Sequence, residues 1–476
     1  MEARTASHHL GSVRAAAVTL MVACSSQAAD DGTGMSSSPS AGTSSPNESQ
    51  SEFVQPAHPA NNIATTVPED WIGYELDLSP PAVRHLGMVG MVGMVGESDV
   101  ASGLAQLFGE GEPGEPPDLE AVSEVGPETM LWIEVNAVTG DVYELTMPRG
   151  DVYAIHEWMV EHDFDKPRGP GGELLPDDPS MGANAELPDV RHLESQLPGA
   201  GSLGIEPRTN HSWSNGADSR SRMAIADGFT ASHFPFKTIS YMDGGTYGCT
   251  GTIIGEKVLL TAAHCVWNTD LDELDQQNVY PRRDGNTSPH GSAQLGLFWI
   301  NPDYLDESCG SPGEPCNMYD IAIIQLTDDL GNDVGAMGFA ATNTTATVGY
   351  QIRMRGYPSC HADWADQRPA SCSSKKLYGS GQDCDASNFH AGGYYSDNWY
   401  CEFKATCDGS AGQSGAAAYT YDISGFGGNP AALGVFSQMD CDGEECMGNA
   451  TPNHFTRITP DQAALFSVAK SAWGSW

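Results

Sequence analysis

The sequence predicts an all-β protein over its larger half, a pair of β-barrels followed by a C-terminal helix, with a small α+β unit ahead of them. Three observations lead there. From about Gly216 onward the apolar residues come in short runs broken by Gly, Asn and Asp, which is the spacing of many short strands. Helical periodicity is nearly absent from that stretch until residues 460–472. Eleven of the 12 cysteines lie from Cys249 onward, which points to one disulfide-stapled domain in an oxidising compartment. Roughly 260 residues of short strands suit two barrels.

Taken in order, the elements begin with a targeting signal. Arg4 and Arg14 precede an apolar run over 15–23 that is too short to span a bilayer, so residues 1–24 are expected to be a secretory signal peptide. Two endings compete. Met21-Val22-Ala23-Cys24 resembles a bacterial lipobox, which would make Cys24 a lipidated anchor, whereas Ser26-Gln27-Ala28 fits an ordinary small-x-small cleavage site. The protein is therefore expected to be secreted or held at a bacterial cell surface. Residues 25–65 are rich in Ser, Gly and Pro, and are expected to be a disordered linker.

Residues 66–210 form an acidic, cysteine-free region. Its Gly-Met-Val repeat over 87–96 reads as repeat expansion without a function, the alternative being a flexible apolar segment that docks elsewhere. Order is expected near 128–166. Leu131, Ile133 and Val135 alternate, Val138-Thr139-Gly140-Asp141 offers a turn, and residues 142–145 return as a second strand. Val152, Ile155, Trp158 and Met159 then recur at helical spacing, with Asp151 as N-cap. A Pro- and Gly-rich stretch over 167–198 separates this unit from the domain at 216–476. There, residues 234–242, 249–254 and 257–262 read as strands, with Gly255-Glu256 as a tight turn, and 348–355 and 432–438 as further strands.

The net charge is −41, from 63 acidic and 22 basic residues. Nucleic acid is excluded as a partner, because its binding needs clustered Lys and Arg. No paired CxxC or HxxxH spacing calls for zinc, and neither a metal nor a cofactor is expected. A monomer is expected.

Three distant fragments carry chemistry: Leu260-Thr261-Ala262-Ala263-His264-Cys265, Tyr319-Asp320-Ile321-Ala322, and Gly412-Gln413-Ser414-Gly415. A serine hydroxyl is a poor nucleophile unless a base lies within reach, and the base needs a carboxylate to hold its tautomer. Ser414 fits the nucleophile, His264 the base and Asp320 the orienting group. The backbone N–H groups of Gly412 and Ser414 are placed to meet a developing oxyanion. Each fragment alone has a plainer reading, as a turn, a strand cap or a core histidine. The order His, Asp, Ser in these contexts is what raises them together. Cys249 stands where it could bridge to Cys265 across the hairpin.

The segment from Gly216 to the C-terminus resembles the trypsin/chymotrypsin superfamily and is most similar to its V8-like, glutamyl endopeptidase branch. Four stretches carry this: Gly216-Ala217-Asp218-Ser219-Arg220-Ser221-Arg222-Met223, Cys249-Thr250-Gly251-Thr252-Ile253-Ile254-Gly255 through His264-Cys265, Cys407-Asp408 through Ser414-Gly415, and Asn453-His454-Phe455-Thr456-Arg457-Ile458-Thr459. The resemblance implies two six-stranded antiparallel barrels, an active-site cleft between them, protein or peptide substrates, and a zymogen whose acidic N-terminal region is a propeptide.

Departures from the family pattern are informative. Gln413 replaces the Asp that latches a new N-terminus in trypsin-type enzymes, so activation must follow another logic. Glutamyl endopeptidases have His where this chain has Phe436, beside Ser437, and Thr or Ser where it has Gly409, so the groups that bind a substrate carboxylate are missing. Asp408 would lie near the pocket base and could attract Lys or Arg. Gly415-Ala416-Ala417 also departs from the family, which leaves room for an alternative, a catalytically inactive binding protein on a protease fold at the cell surface. Residues 128–166 could also be a surface-binding module. Local bridges Cys309–Cys316, Cys360–Cys372 and Cys441–Cys446 are expected, with Cys384, Cys401 and Cys407 leaving one unpaired.

Overall fold

The computed structural model describes residues 81–92, 122–123, 125–176, 220–222, 234–244, 248–268, 273–275, 277–305, 319–342, 347, 349–360, 372–380, 384–387, 402–438, 453–473 and 475. The signal and tether, Cys24, and Cys309, Cys316, Cys401, Cys441 and Cys446 lie outside the described residues.

The first barrel is built from β4 (Ile239–Asp243), β5 (Cys249–Gly255), β6 (Val258–Thr261), β7 (Asn278–Pro281), β8 (Ala293–Ile300) and β9 (Ala322–Leu326). Its strands run in the order β8-β7-β4-β5-β6-β9, and β9 pairs back to β8, so the ring is closed and antiparallel throughout. The second comprises β10 (Gln351–Gly356), β11 (Cys384–Ser387), β12 (Glu402–Ala405), β13 (Ala417–Thr420), β14 (Ala431–Gln438) and β15 (Asn453–Arg457). It closes in the same way, β10-β13-β14-β15-β12-β11-β10. Closure leaves no free edge in either ring except where one strand outruns its neighbour. Both six-stranded barrels are those the family resemblance implied. The stretch expected as a strand over 234–242 differs at its start: Phe236–Thr238 form a 3-10 turn behind Pro235, and the strand begins at Ile239.

The α+β unit is also present. Strands at Thr129–Asn136 (β2) and Asp141–Pro148 (β3) form the expected hairpin. Asn136 Oδ1 accepts from Val138 N and Thr139 N, and Gly140 takes φ 81, which closes the turn. The helix α1 (Arg149–Glu161) buries Val152, Ile155, Trp158 and Met159 on one face. It starts three residues earlier than the sequence indicated. Pro148, not Asp151, is at the N-cap, and Asp151 stands in the first turn, where its charge meets the helix dipole.

Order in this region is not confined to 128–166. Ala82–Met88 form β1, paired antiparallel with β3, and Gly90–Val92 of the Gly-Met-Val repeat pair in parallel with residues 273–275 of the barrel domain. The repeat is thus a docked segment, not idle sequence. Beyond it, β2 pairs with β8, Ile133 opposite Ile300 and Val135 opposite Phe298, so the sheet of the first barrel continues as β8-β2-β3-β1. One apolar cluster runs through both parts, joining Trp132, Ile133, Val135 and Ile155 to Phe298, Trp299, Ile323 and Phe466.

The C-terminal helix α2 spans Pro460–Ala472, as the sequence predicts, because Thr459 and Gln462 form a capping box with Pro460 at the first position. It packs on α1. At this seam Lys470, 1 % exposed, donates to Phe164 O at 2.6 Å and Ile254 O at 3.0 Å. Burial pushes Lys470 down to about 7, with Arg168 adding and Asp165 opposing. Burial pushes Asp165 up to about 6, with Lys470 and Lys166 opposing and Asp163 adding.

The signs oppose each other. The Asp165 contribution is full below its unfolded 3.8 and is lost as pH rises through about 6. The Lys470 contribution is least below about 7 and recovers toward its unfolded 10.5. The urea midpoint is therefore expected to pass through a minimum between about pH 6 and 7. Lys470→Met should remove the alkaline limb.

Candidate active site

His264 lies on a 3-10 turn, Ala263–Cys265, that leaves β6. Asp320 lies just ahead of β9. Thr261 pairs with Ala322 in the β6–β9 ladder, so the chain leaving one strand runs beside the chain entering the other. That register sets the two side chains together. His264 Nδ1 is 2.7 Å from Asp320 Oδ2, and His264 N donates to Asp320 Oδ1 at 2.9 Å. Two bonds to one carboxylate fix the ring's orientation. The Cys249–Cys265 disulfide forms as anticipated and ties the turn to β5.

Asp320 is 4 % exposed and has a third partner, Ser437 Oγ, which donates to Oδ2 at 2.5 Å. The sequence reading placed Ser437 in the pocket wall. Its hydroxyl points to the carboxylate, at the irregularity between Phe436 and Gln438 where the pairing of β14 with β15 shifts register. Burial pushes the Asp320 carboxyl up, but His264 and the Ser437 hydroxyl outweigh it and hold the group below its usual range. For His264, burial pushes the ring down, and the Asp320 charge with its hydrogen bond overcomes this, so the imidazole is held above its usual value. The His264 side chain remains 37 % exposed, so the carboxylate is covered while the ring keeps an open edge.

Ser414 lies on the turn before β13, between two glycines in left-handed conformations, Gly412 at φ 85 and Gly415 at φ 80. Neither position admits a side chain. A Cβ on Gly412 would stand 2.5 Å from Ser359 N, and one on Gly415 would stand 2.0 Å from Thr261 Oγ1. This close approach brings the serine turn onto the end of β6, three residues from His264. Cys265 Sγ lies 3.6 Å from Ser414 O. The N–H groups of Gly412 and Ser414 donate to no acceptor among the described residues.

Thr250, which the sequence did not single out, anchors the turn. Fully buried on β5, it donates through N–H to Ser414 O at 2.8 Å and through Oγ1 to Gly412 O at 2.9 Å, and it accepts from Tyr357 N at 2.9 Å. It joins the first barrel to the serine turn and to the strand end of the second. Thr250→Val keeps the shape and orphans Gly412 O and Tyr357 N. Stability is expected to fall by about 1–3 kcal/mol, measured as a urea midpoint, with kcat falling more than KM rises.

The pocket residues read from sequence are partly brought together. Asp408 is 3 % exposed, and a Cβ on Gly409 would meet Phe436 Cζ at 2.7 Å and Asn453 Nδ2 at 3.1 Å. Phe436 packs beside Phe455 in the second barrel's core. Asn453, which donates to Cys407 O at 2.6 Å, is a neighbour the sequence reading did not name. Gln413 is fully buried and accepts from Ser410 Oγ at 3.2 Å. Cys360–Cys372 forms as expected, and Cys384 pairs with Cys407.

Comparison with known proteins gives the family. The family profile described as Trypsin matches residues 227–464. The glutamyl endopeptidase of Bacillus licheniformis is 27% identical over 162 residues, 33% of this chain and 47% of that protein. The extracellular metalloprotease of Bacillus subtilis is 27% identical over 158 residues, 32% of this chain and 48% of that protein. A solved structure of a Glu endopeptidase in complex with MPD is 23% identical, with a TM-score of 0.40, covering 54% of this chain and 98% of that one. The chain spans about half the length of the curated relatives it matches. The two closed six-stranded barrels have the fold of the trypsin-like serine proteases. The chain belongs to the trypsin family, and the relatives it matches are in keeping with the V8-like branch.

Proposed function

We propose that the chain is a secreted or surface-anchored endopeptidase, made as a zymogen, that hydrolyses peptide bonds through an acyl-enzyme on Ser414. His264 takes the Ser414 proton as Oγ attacks the scissile carbonyl, then returns it to the leaving amine. Asp320 holds the imidazole with its Nδ1 proton inward and stabilises the imidazolium. The N–H groups of Gly412 and Ser414 receive the oxyanion. Water then attacks the ester by the same route in reverse. The observation that carries this is the buried Asp320 carboxylate gripping His264 at the strand end onto which Gly415 draws the Ser414 turn.

The test is covalent labelling. A fluorophosphonate should modify wild-type protein at Ser414, and Ser414→Ala should abolish the label together with casein hydrolysis. An unlabelled, inactive wild type after maturation would sink the reading in favour of the inactive binding protein.

Glutamate is not the proposed side chain ahead of the cleaved bond. Phe436 presents no donor, and Gly409 has no hydroxyl to meet a carboxylate. Asp408, buried next to Gly409 in sequence, is the position that the resemblance puts at the pocket base, and a basic residue suits it. A peptide-library profile is expected to favour Lys or Arg at that position, and Asp408→Ser to erase the preference. A profile led by Glu would reverse the assignment.

A further inference from the structure

We propose that the unit formed by residues 82–92 and 125–176 is a permanent second piece of the enzyme, which remains on the barrels and holds them together whether or not the chain is cut after it. This goes beyond a propeptide that is released on activation. A releasable segment docks on a surface that is complete without it, and the surface beneath this one is not.

The first point is the sheet. Only residues 293–294 of β8 pair with β7, which leaves the edge of 297–300 to β2, with Ala137 N donating to Gly296 O at 2.8 Å just beyond. Departure of the unit would uncover a strand edge. The second is the core. Trp299, 3 % exposed, lies between Trp132, tilted against it, and Trp473, edge-on to it, with ring centroids 5.1 Å apart in each pair, and donates from Nε1 to Glu134 Oε2 at 2.6 Å. The third is α2, whose polar groups are met by α1. Arg149 Nη1 donates to both carboxylate oxygens of Asp461 at 2.6 Å, Tyr153 donates to the same carboxylate at 2.7 Å, and His156 lies 2.8 Å from Ser467 Oγ.

The fourth point concerns the segment joining the two barrels. Residues 163–176 run along it. Phe339 N donates to Asp165 O at 3.0 Å, Arg168 and Ala336 exchange backbone bonds at 2.9 and 2.8 Å, and Gly171 N donates to Asn332 O at 2.8 Å. The catalytic half is shaped for this strap. A Cβ on Gly335 would stand 2.4 Å from Arg168 O, and one on Gly338 would stand 2.8 Å from Pro167 Cδ and 2.9 Å from Asp165 O. Pro176 O accepts from Asn429 Nδ2 of the second barrel at 3.1 Å. The unit therefore touches the first barrel, the inter-barrel segment, the second barrel and the C-terminal helix. A cleft between barrels depends on their mutual placement.

The experiment uses the full chain carrying Ser414→Ala, with a recognition sequence for a site-specific protease inserted between residues 180 and 215. Because the proposed nucleophile is absent, the outcome does not depend on the reading of catalysis. After complete cutting, both fragments are expected to coelute at the volume of the uncut chain and to unfold in one transition. A catalytic fragment that elutes alone and keeps the uncut chain's Tm would overturn the proposal. In the cut protein, Arg149→Glu is expected to weaken association by about tenfold, and Arg149→Glu with Asp461→Arg to restore it. Failure of the swap to restore coelution would count against the docked arrangement. In the Ser414 chain cut in the same way, turnover should be carried by the complex of both fragments and not by a separated catalytic fragment. Urea just sufficient to separate the fragments should abolish turnover.

Discussion

Replacing Ser414 by alanine is expected to lower kcat about 10^6-fold, and Asp320→Asn about 10^4-fold, with both variants still folded. The first removes the attacking atom and leaves the flanking glycines untouched. The second is isosteric, and its damage is electronic. The introduced amide would turn its NH2 toward either His264 Nδ1 or Ser437. Facing His264, it makes Nδ1 an acceptor and places the ring proton on Nε2, where the ring cannot take the serine's proton. The pH profile separates this from misfolding. In the wild type Asp320 holds His264 above 6.5, so kcat/KM should rise with pH through a value higher than that. In Asp320→Asn the opposing burial remains and the raising charge is gone, so the residual activity should rise through a lower pH. The pair's contribution to stability has the reverse dependence. Asp320, held low, contributes above its unfolded 3.8, and His264, held high, contributes below its unfolded 6.5. Between those values the pair stabilises most, and above them the enzyme works best. A profile that rises through the same pH in both proteins would show that Asp320 does not set the base.

Much of this site was legible because its chemistry is written in local contexts. Thr261-Ala262-Ala263-His264-Cys265 ends an apolar run, Asp320 precedes another, and Ser414 stands between glycines whose φ values allow nothing else. The partners that hold those groups were less visible. Ser437 was read only as a neighbour of Phe436 in the pocket stretch, and its bond to Asp320 crosses 117 positions of sequence, which no local pattern reports. Thr250 acts through a hydroxyl that bridges two barrels, and a lone threonine on a strand carries no mark of that.

The N-terminal unit was legible in its parts and not in its attachment. Leu131, Ile133 and Val135 announce β2, but an added strand joins through backbone groups that every residue has. β1 was missed for a related reason: its burial runs exposed, intermediate, exposed, exposed, intermediate, so no alternation of apolar and polar residues reports it. Its partner β3 is also some 60 positions away, Arg84 meeting Glu144.

The largest effect on stability is expected at Trp299. Trp299→Ala deletes an indole buried between Trp132 and Trp473, and both the lost burial and the cavity count, about 3–5 kcal/mol. It also takes the indole donor from Glu134, a buried carboxylate, which adds to the loss. Trp299→Phe separates the two contributions. The ring stays, the N–H is lost, and about 1.5–3 kcal/mol is expected from the charged hydrogen bond alone. Glu134→Gln retains an oxygen that can accept from the indole and should cost less than Glu134→Leu. The measurement is the urea midpoint of the uncut chain, read by tryptophan fluorescence and by far-UV signal together. If the N-terminal unit and the barrels are one structure, both signals move together in every variant, since the strand carrying Glu134 and the strand carrying Trp299 belong to one sheet. If the unit were a separate module, Glu134→Leu would shift only a minor early transition and leave the barrels' midpoint in place.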